Sequence, residues 1–341
     1  MAISYNAAYD QLSGAMGETF RRAVDDNVFV SNLVFQTNWD EAEQVDEGRI
    51  LNVDLLTGKN QTATAFGQND EISSSPQTIL SVASYPWSFY VVSVAVDYQT
   101  LKINRGRNAR VKLVAVQIQA GIASLADACG VDLCNVTKSA STVNGVNSLG
   151  LVEATDDGTV VNLYGNILRT GAGSFANWAG NTNRTLLASG IGSASNDAPF
   201  QLFYDVYTRC TQGAETPTEC FSTKGGVAAY MYAQQGQQRV TPMDMANAGM
   251  GGANIFTTPI LADEHFTPPT NGSKFGANFH FTNRRHTKFY YMGEKGFEFF
   301  PWVDQPNRVS KVARYVTSFQ YASSQVRTGG AIYNVNSISN L

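Results

Sequence analysis

Charged side chains are scarce in this 341-residue chain: 24 Lys and Arg with 28 Asp and Glu make up 15% of it, against roughly 25% in ordinary soluble proteins. The places a free monomer fills with charge are taken by Asn, Gln, Ser and Thr, which lose less solvation when another protein covers them. Much of the surface is therefore expected to be contact surface. The net charge is -4, and no dense cluster of Lys and Arg is present, which excludes a polybasic nucleic-acid binder. Long apolar runs are missing too. The longest, near Phe89 to Val96, is broken by Ser93, short of the roughly 18 apolar residues of a membrane span. The opening MAISYNAAYDQLSGAMGETFRR has neither a basic start nor an apolar block, so no signal peptide is expected and cytoplasmic synthesis is the default.

Three histidines and four cysteines leave little for catalysis. Cys129 and Cys134 sit on different faces of one predicted helix and cannot pair without unwinding it. Cys210 and Cys220 flank TQGAETPTE; a hairpin disulfide is conceivable there, though a reducing compartment favours free thiols. Without a secretion signal, the Asn-x-Ser/Thr triplets at Asn60, Asn135, Asn183 and Asn271 read as chance products of an Asn-rich chain. Asp263, Glu264 and His265 put carboxylates beside an imidazole, but neighbours on an extended segment point in opposite directions, so a solvated loop is expected. His280 and His286 are close enough to meet across a turn. A metal centre wants three or four ligands and no cysteine is nearby, so structural roles are expected. Gly249 to Phe256, GMGGANIF, lacks the Gly-Lys-Ser/Thr ending of a phosphate loop. Gly-x-Ser-x-Gly and Cys-x-x-Cys are absent. A carboxylate pair for glycoside cleavage would escape notice, because its members can lie far apart in sequence, but nothing points to one. No catalytic, cofactor-binding or metal-ligating residue is assigned, and no cofactor is expected.

At about 150 residues per domain the length predicts roughly two domains. An apolar fraction of 43% is enough for sizeable cores and excludes global disorder. Tyr9 to Val24 is a short amphipathic stretch with Leu12, Met16, Phe20 and Ala23 at helical spacing, which reads as a packing arm. In GRILNVDLL, Leu51, Val53 and Leu55 alternate with polar residues as in a half-buried strand. Strand-like sequence resumes in QTILSVASYPWSFYVVSVAV after a long aperiodic tip, so an extended hairpin that reaches a neighbour is expected. From Asn108 to Cys134, the residues Val111, Val114, Ile118, Ile122, Leu125, Cys129 and Leu133 follow one helical face. At 1.5 Å per residue that is a rod of roughly 40 Å. Asn135 to about Thr170 reads as loops and short strands, and Trp178 as a buried aromatic in a loop. Helical patches are expected at Phe200 to Thr211 and Gly225 to Gln238. HTKFYYMG, GFEFFPW and VSKVARYVTSFQYASSQV carry the aromatic and β-branched residues of strands, with Pro301 and Pro306 bracketing a bend.

Asn271 to His286 gathers Lys274, Arg284 and Arg285 among aromatics, which reads either as a small anion patch or as an edge that pairs with acidic side chains of another subunit. Candidate inter-subunit contacts are Lys59, Phe66, Val114, Ile118, Arg284 and Arg285.

The order of these pieces resembles the major capsid protein of tailed bacteriophages, the Hong Kong 97 (HK97) fold. The likeness runs from about Gly48 to Val335. Its nearest parts are PILADEHFTPP, HFTNRRHTKFYYMGEKGFEFFPW and QPNRVSKVARYVTSFQYASSQVRTGGAIYNV, together with VEATDDGTVVNLYGNILRTGAGSFANWAGN from Val152 to Asn181. The resemblance implies an α+β fold. Residues 1–47 would be the N-terminal arm, 48–98 the E-loop, 99–138 a peripheral domain with the spine helix, 139–286 a mixed α/β axial domain, and 287–341 the closing strands of the peripheral domain. It implies no enzyme. Copies would self-assemble as hexamers and pentamers into an icosahedral viral head in the host cytoplasm, enclosing double-stranded DNA without sequence-specific binding and without a membrane. Portal and decoration proteins are implied partners. No long, charged scaffolding extension precedes the arm, so a separate scaffolding protein is expected. The namesake joins a loop-tip Lys to an Asn of another subunit. Lys59 and Asn334 or Asn336 lie in corresponding regions, but most relatives are not cross-linked, and no cross-link is expected here.

Near-neutral charge suits such a shell, since a strongly basic inner face would trap DNA during packaging. Three rivals stand beside this reading. A tail or decoration protein would share the composition but not the long helix between hairpin and mixed domain. A hydrolase would need a clustered polar constellation. Encapsulin compartments share the fold, so a non-viral shell is the nearest alternative.

Overall fold

The computed structural model describes residues 43–45, 48–56, 62, 64–68, 70–71, 80–103, 107–134, 148–171, 175, 177–183, 198–234, 253–266, 277–292, 297–306 and 308–335. The amphipathic stretch Tyr9 to Val24, the hairpin tip at Lys59, Lys274 and Asn336 lie outside them.

The aromatic, β-branched run near the carboxyl terminus becomes β14 (Ser310–Ser323). It pairs antiparallel with β4 (Ser88–Asp97), β12 (Thr287–Met292) and β13 (Phe297–Asp304), and β1 (Glu43–Val45) adds parallel to β12. Pro301 does not end its strand. The bend expected between the two prolines is instead a register shift between Phe300 and Val303 inside β13. That strand lies at the edge of the sheet, where a residue without an N–H is tolerated at a bulge.

A short α1 (Tyr98–Ile103) leads from β4 into α2 (Arg107–Cys134). Val114, Ile118 and Ile122 of α2 pack with Val94, Val96, Trp302, Ala313 and Tyr315 on one face of this sheet. Leu113–Cys134 has a mean hydropathy of 1.4 over its most apolar window, enough by length and composition to cross a membrane. The apolar side chains at three- and four-residue spacing are instead buried in the subunit, as in a core helix.

The second sheet runs in the order β7 (Asn181–Asn183), β15 (Gly330–Val335), β11 (Ala277–Thr282), β8 (Glu219–Ser222), β10 (Thr258–Ala262), β9 (Asn254–Ile255). Alternation along β11 assigns its two faces. Phe279 and Phe281 pack with Phe203, Val206 and Cys210 of α4 (Ala198–Cys210) and Tyr230 of α5 (Lys224–Gln234). His280 points the other way, onto Phe266 and onto Thr155 of α3 (Leu151–Thr155). The segment expected as loops and short strands thus contains a five-residue helix, too short to leave a periodic signature. Its Glu153 side chain accepts from the Gly150 backbone N–H at 2.9 Å, which closes the helix start.

β15 leaves the sheet of its predecessor β14 and completes the second one, so residues 287–341 divide between two sheets. Gly330 permits the crossing. A Cβ there would sit 2.3 Å from the Asn181 carbonyl oxygen and 2.6 Å from Cys210 Sγ. Cys210 and Cys220 are both buried and free.

The two sheets share a central core. It collects the inner face of the hairpin β2 (Ile50–Leu56) and β3 (Leu80–Pro86), Leu133 and Cys134 from the end of α2, Leu151 and Ala154 from α3, Trp178, Phe221, Phe266, and Phe289 and Tyr321 from the first sheet. Burial of each such large side chain stabilises by about 1.5–3 kcal/mol.

Candidate functional site

The period-two pattern of GRILNVDLL holds along the hairpin. Leu51, Val53, Leu55, Ala83 and Tyr85 are buried, while Ile50, Leu80 and Val82 on the opposite face are exposed. The hairpin is held firmly at its root. Tyr85 donates its hydroxyl to the Ser323 carbonyl at 3.0 Å, and the Trp87 indole N–H donates to the Gly48 carbonyl at 3.0 Å. The Ser84 N–H donates to the Gly165 carbonyl at 2.9 Å. Gly165 and Asn166, with φ of 57° and 60°, make the tight turn between β5 (Leu163–Tyr164) and β6 (Ile167–Leu168). A Cβ on Gly165 would meet the Tyr85 ring at 2.9 Å. β4 belongs to the first sheet, so the hairpin strands are β2 and β3 alone; Pro86 ends the hairpin pairing and Trp87 is buried at the switch.

The first sheet is also two-faced. Its inner face is covered by α2. On the outer face, Phe89 and Val91 of β4 stand opposite Ser318 and Val316 of β14, and Phe300 and Val303 of β13 lie across from Arg314 and Val312. Val91 is 60% exposed and Val303 64%. Among the described residues, this apolar face is exposed, as apolar patches at interaction sites are.

Two polar groups are bound within the chain near the hairpin root. Asp156 Oδ2 accepts from the backbone N–H groups of Gly158, Val160 and Val161 at 2.9–3.0 Å. The buried Arg169 guanidinium lies 4.6 Å over the Tyr164 ring and donates to the Val161 carbonyl at 3.3 Å. These contacts pin the chain between α3 and the hairpin root. A groove of about 640 Å³ under that root is lined by Asp54, Ile167, Phe175, Trp178, His286, Ser324 and Arg327, among others. Ser324 donates its hydroxyl to the His286 carbonyl at 3.2 Å and stands 3.5 Å from Nδ1, with Glu215 4.0 Å from Nε2. Those separations are longer than the roughly 2.6–3.2 Å of a paired nucleophile and base. No group of three metal-ligating side chains occurs among the described residues.

His265 corrects the expected solvated loop. Its side chain is 8% exposed and contacts both Asp263 and Asp127. The preceding carboxylate, Asp263, is buried, because the chain turns here instead of extending: the His265 backbone N–H donates to Asp263 Oδ1 at 2.9 Å. His280 and His286 do not meet. Thr155 Oγ1 donates to the Leu151 carbonyl at 2.9 Å, so His280 Nδ1–H donates to Thr155 Oγ1 at 2.9 Å. Nε2 is then an acceptor without a partner among the described residues.

Burial pushes the His280 imidazole down to about 3. Its unfolded value is near 6.5. Because the folded value is the lower one, its stabilisation is fully present above pH 6.5 and is lost as pH falls toward 3, on the order of 5 kcal/mol in all. Urea titrations between pH 7 and 4 are expected to show a steep acid loss that flattens in His280→Phe, which keeps a ring stacked on Phe266. Equal slopes in both proteins would refute the assignment.

No protein-family model matches the chain, and no curated protein does. Solved structures do. The procapsid of satellite phage P4, which includes a size determination (Sid) protein, is 10% identical over 94% of this chain and 92% of that one, with a TM-score of 0.53. The capsid of a native GTA particle is 12% identical over 86% of this chain and 88% of its own, at 0.54. Mycobacterium phage Bobi is 12% identical over 86% and 89%, at 0.51. The fold is the Hong Kong 97-like fold of phage capsid proteins.

On this Hong Kong 97-like fold the expected contact residues separate into three groups. Lys59 lies outside the described residues, and Phe66 is exposed. Val114 and Ile118 are interior: they face the subunit's own sheet, so a contact with another copy is corrected to a core role. Arg284 and Arg285 pair with Glu219 and Glu215 of the same chain, and Arg285 holds the Glu215 carboxyl below its ordinary value. Their acidic partners within the chain are 65 and 70 residues distant in sequence. The outer-face residues Phe89, Val91, Phe300 and Val303 were not singled out from sequence. The alternation of Phe89 and Val91 with Ser88 and Tyr90 in SFYVV was the available signal.

Proposed function

We propose that this chain is the major capsid protein of a tailed double-stranded DNA bacteriophage, closing as hexamers and pentamers into an icosahedral head. The observation that carries this reading is a fold match along 94% of the chain to a phage procapsid protein. The two-faced hairpin and sheet support it, because apolar faces left open by one subunit are what a second copy covers. In this reading residues 1–47 form the arm, β2, β3 and the tip between them form the E-loop, α2 is the spine helix, and the second sheet with α4 and α5 is the axial domain. The protein is structural, not an enzyme. Its partners are sister copies, a scaffolding protein, a portal and decoration proteins, and it encloses DNA inside a virion assembled in the host cytoplasm. Many weak contacts per subunit suffice, because detaching one copy breaks them together.

Negative-stain microscopy and sedimentation of the purified protein, alone and co-expressed with neighbouring phage genes, are expected to show rings or closed shells with fivefold and sixfold units. A compact monomer under every condition would overturn the reading. Shells that fill with protein cargo rather than DNA would support an encapsulin-like compartment instead.

A further inference from the structure

The His265 cluster joins two parts of the molecule that the chain keeps far apart. Asp127 lies on α2, which belongs with the first sheet, and His265 lies just after β10 in the second, 138 residues away. The loop carrying His265 is fixed at both ends. The Asp263 N–H donates to the Ser222 carbonyl at 3.0 Å, and Phe266 is buried in the central core and stacked on His280. His265 Nδ1 is 2.7 Å from Asp263 Oδ1, and Nε2 is 3.1 Å from Asp127 Oδ1. The inner carboxylate, Asp263, is 1% exposed and the outer one, Asp127, is 70% exposed.

We propose that His265 is a proton-operated latch between α2 and the second sheet: protonated, it holds Asp263 and Asp127 together, and deprotonated, it releases Asp127. A carboxylate only accepts, so bonding both requires both ring nitrogens to carry hydrogen, which is the imidazolium. On loss of one proton the buried Asp263 keeps the remaining N–H at the shorter contact, because a buried carboxylate loses more from a broken hydrogen bond than the hydrated Asp127 does. The bare Nε2 lone pair then faces the Asp127 carboxylate, and the outer contact opens.

The other charges nearby are Glu264, beside His265 in the chain, and Lys224 at the start of α5, paired with Glu264 at 2.6 Å. Asp263 also acts on the Cys134 thiol at the end of α2. The hydrogen bond to Asp263 is the largest influence on His265, opposed by burial and reinforced by the Asp263 charge and by Asp127, and the result is a raised pKa. Since the folded value exceeds the unfolded one, the latch is closed below about pH 6.5 and opens as pH rises through the folded value.

The test is amide hydrogen exchange of α2 around Asp127 in the purified full-length protein from pH 6 to 9, corrected for intrinsic rates, with the His265 ring titration followed by NMR. Protection is expected to fall by about two- to fivefold across the His265 titration, the range of a partly exposed ion pair. Asp127→Ala should abolish that step and lower the His265 midpoint. His265→Gln should make α2 protection independent of pH. A wild-type midpoint at or below the ordinary histidine value, or a protection step that survives in Asp127→Ala, would overturn the latch. The readouts concern the subunit and stand whether or not it forms shells.

Discussion

Val91→Glu is expected to leave the subunit folded and to abolish its assembly into particles. Val91 is 60% exposed on the outer face of the first sheet, with Val316 opposite it on β14 and Phe89 next on the same face. In an isolated subunit the glutamate stays hydrated, so the change in stability should be within about 0.5 kcal/mol. In a shell whose copies cover that face, an unpaired carboxylate would be buried at a cost of several kcal/mol per subunit. Repeated over every copy, that exceeds what weak shell contacts supply. Sedimentation and thermal melting separate the two effects, with Val91→Ile as a control that should assemble. Normal particles from Val91→Glu would mean that this face remains open to solvent in the shell, and the proposed mode of assembly would need another surface.

Ile118→Gly is expected to act on the subunit itself. Ile118 is fully buried in the middle of α2 against Val94, Ala313 and Tyr315. Removing the side chain costs about 2–5 kcal/mol for lost burial and the cavity, and glycine in a helix interior adds about 1 kcal/mol. A loss of roughly 3–6 kcal/mol is a large part of the 5–15 kcal/mol that holds a typical domain together. Urea unfolding followed by circular dichroism should show the midpoint collapse, and soluble expression should fall with it. A shift below about 1 kcal/mol would mean that α2 is not seated on the sheet at this position.

Both predictions rest on patterns of different legibility. The seat of α2 is visible in the chain because Val114, Ile118, Ile122, Leu125, Cys129 and Leu133 repeat at helical spacing, and all six are buried. The strands β2, β12, β13 and β14 follow equally from their aromatic and alternating sequences. The helical patches became Ala198–Cys210 and Lys224–Gln234. α3 was not visible, because five residues cannot display a period. Arg284 and Arg285 read from sequence either as an anion patch or as an edge for another subunit's acids, whereas the structure pairs them with Glu219 and Glu215 of the same chain. A charge in a sequence carries no mark of which distant charge it will meet.

The sequence by itself determined the local elements and the sides on which they are apolar, since residues a few positions apart are neighbours whatever the rest of the chain does. Only the tertiary structure decided that β15 crosses into the second sheet past Gly330, that the outer face of β4 and β13 is exposed among the described residues, and that His265 lies between carboxylates from opposite parts of the chain. Those outcomes depend on which surfaces approach after the elements form. The approach is set by the fit of side chains more than a hundred residues apart, and no local period encodes it.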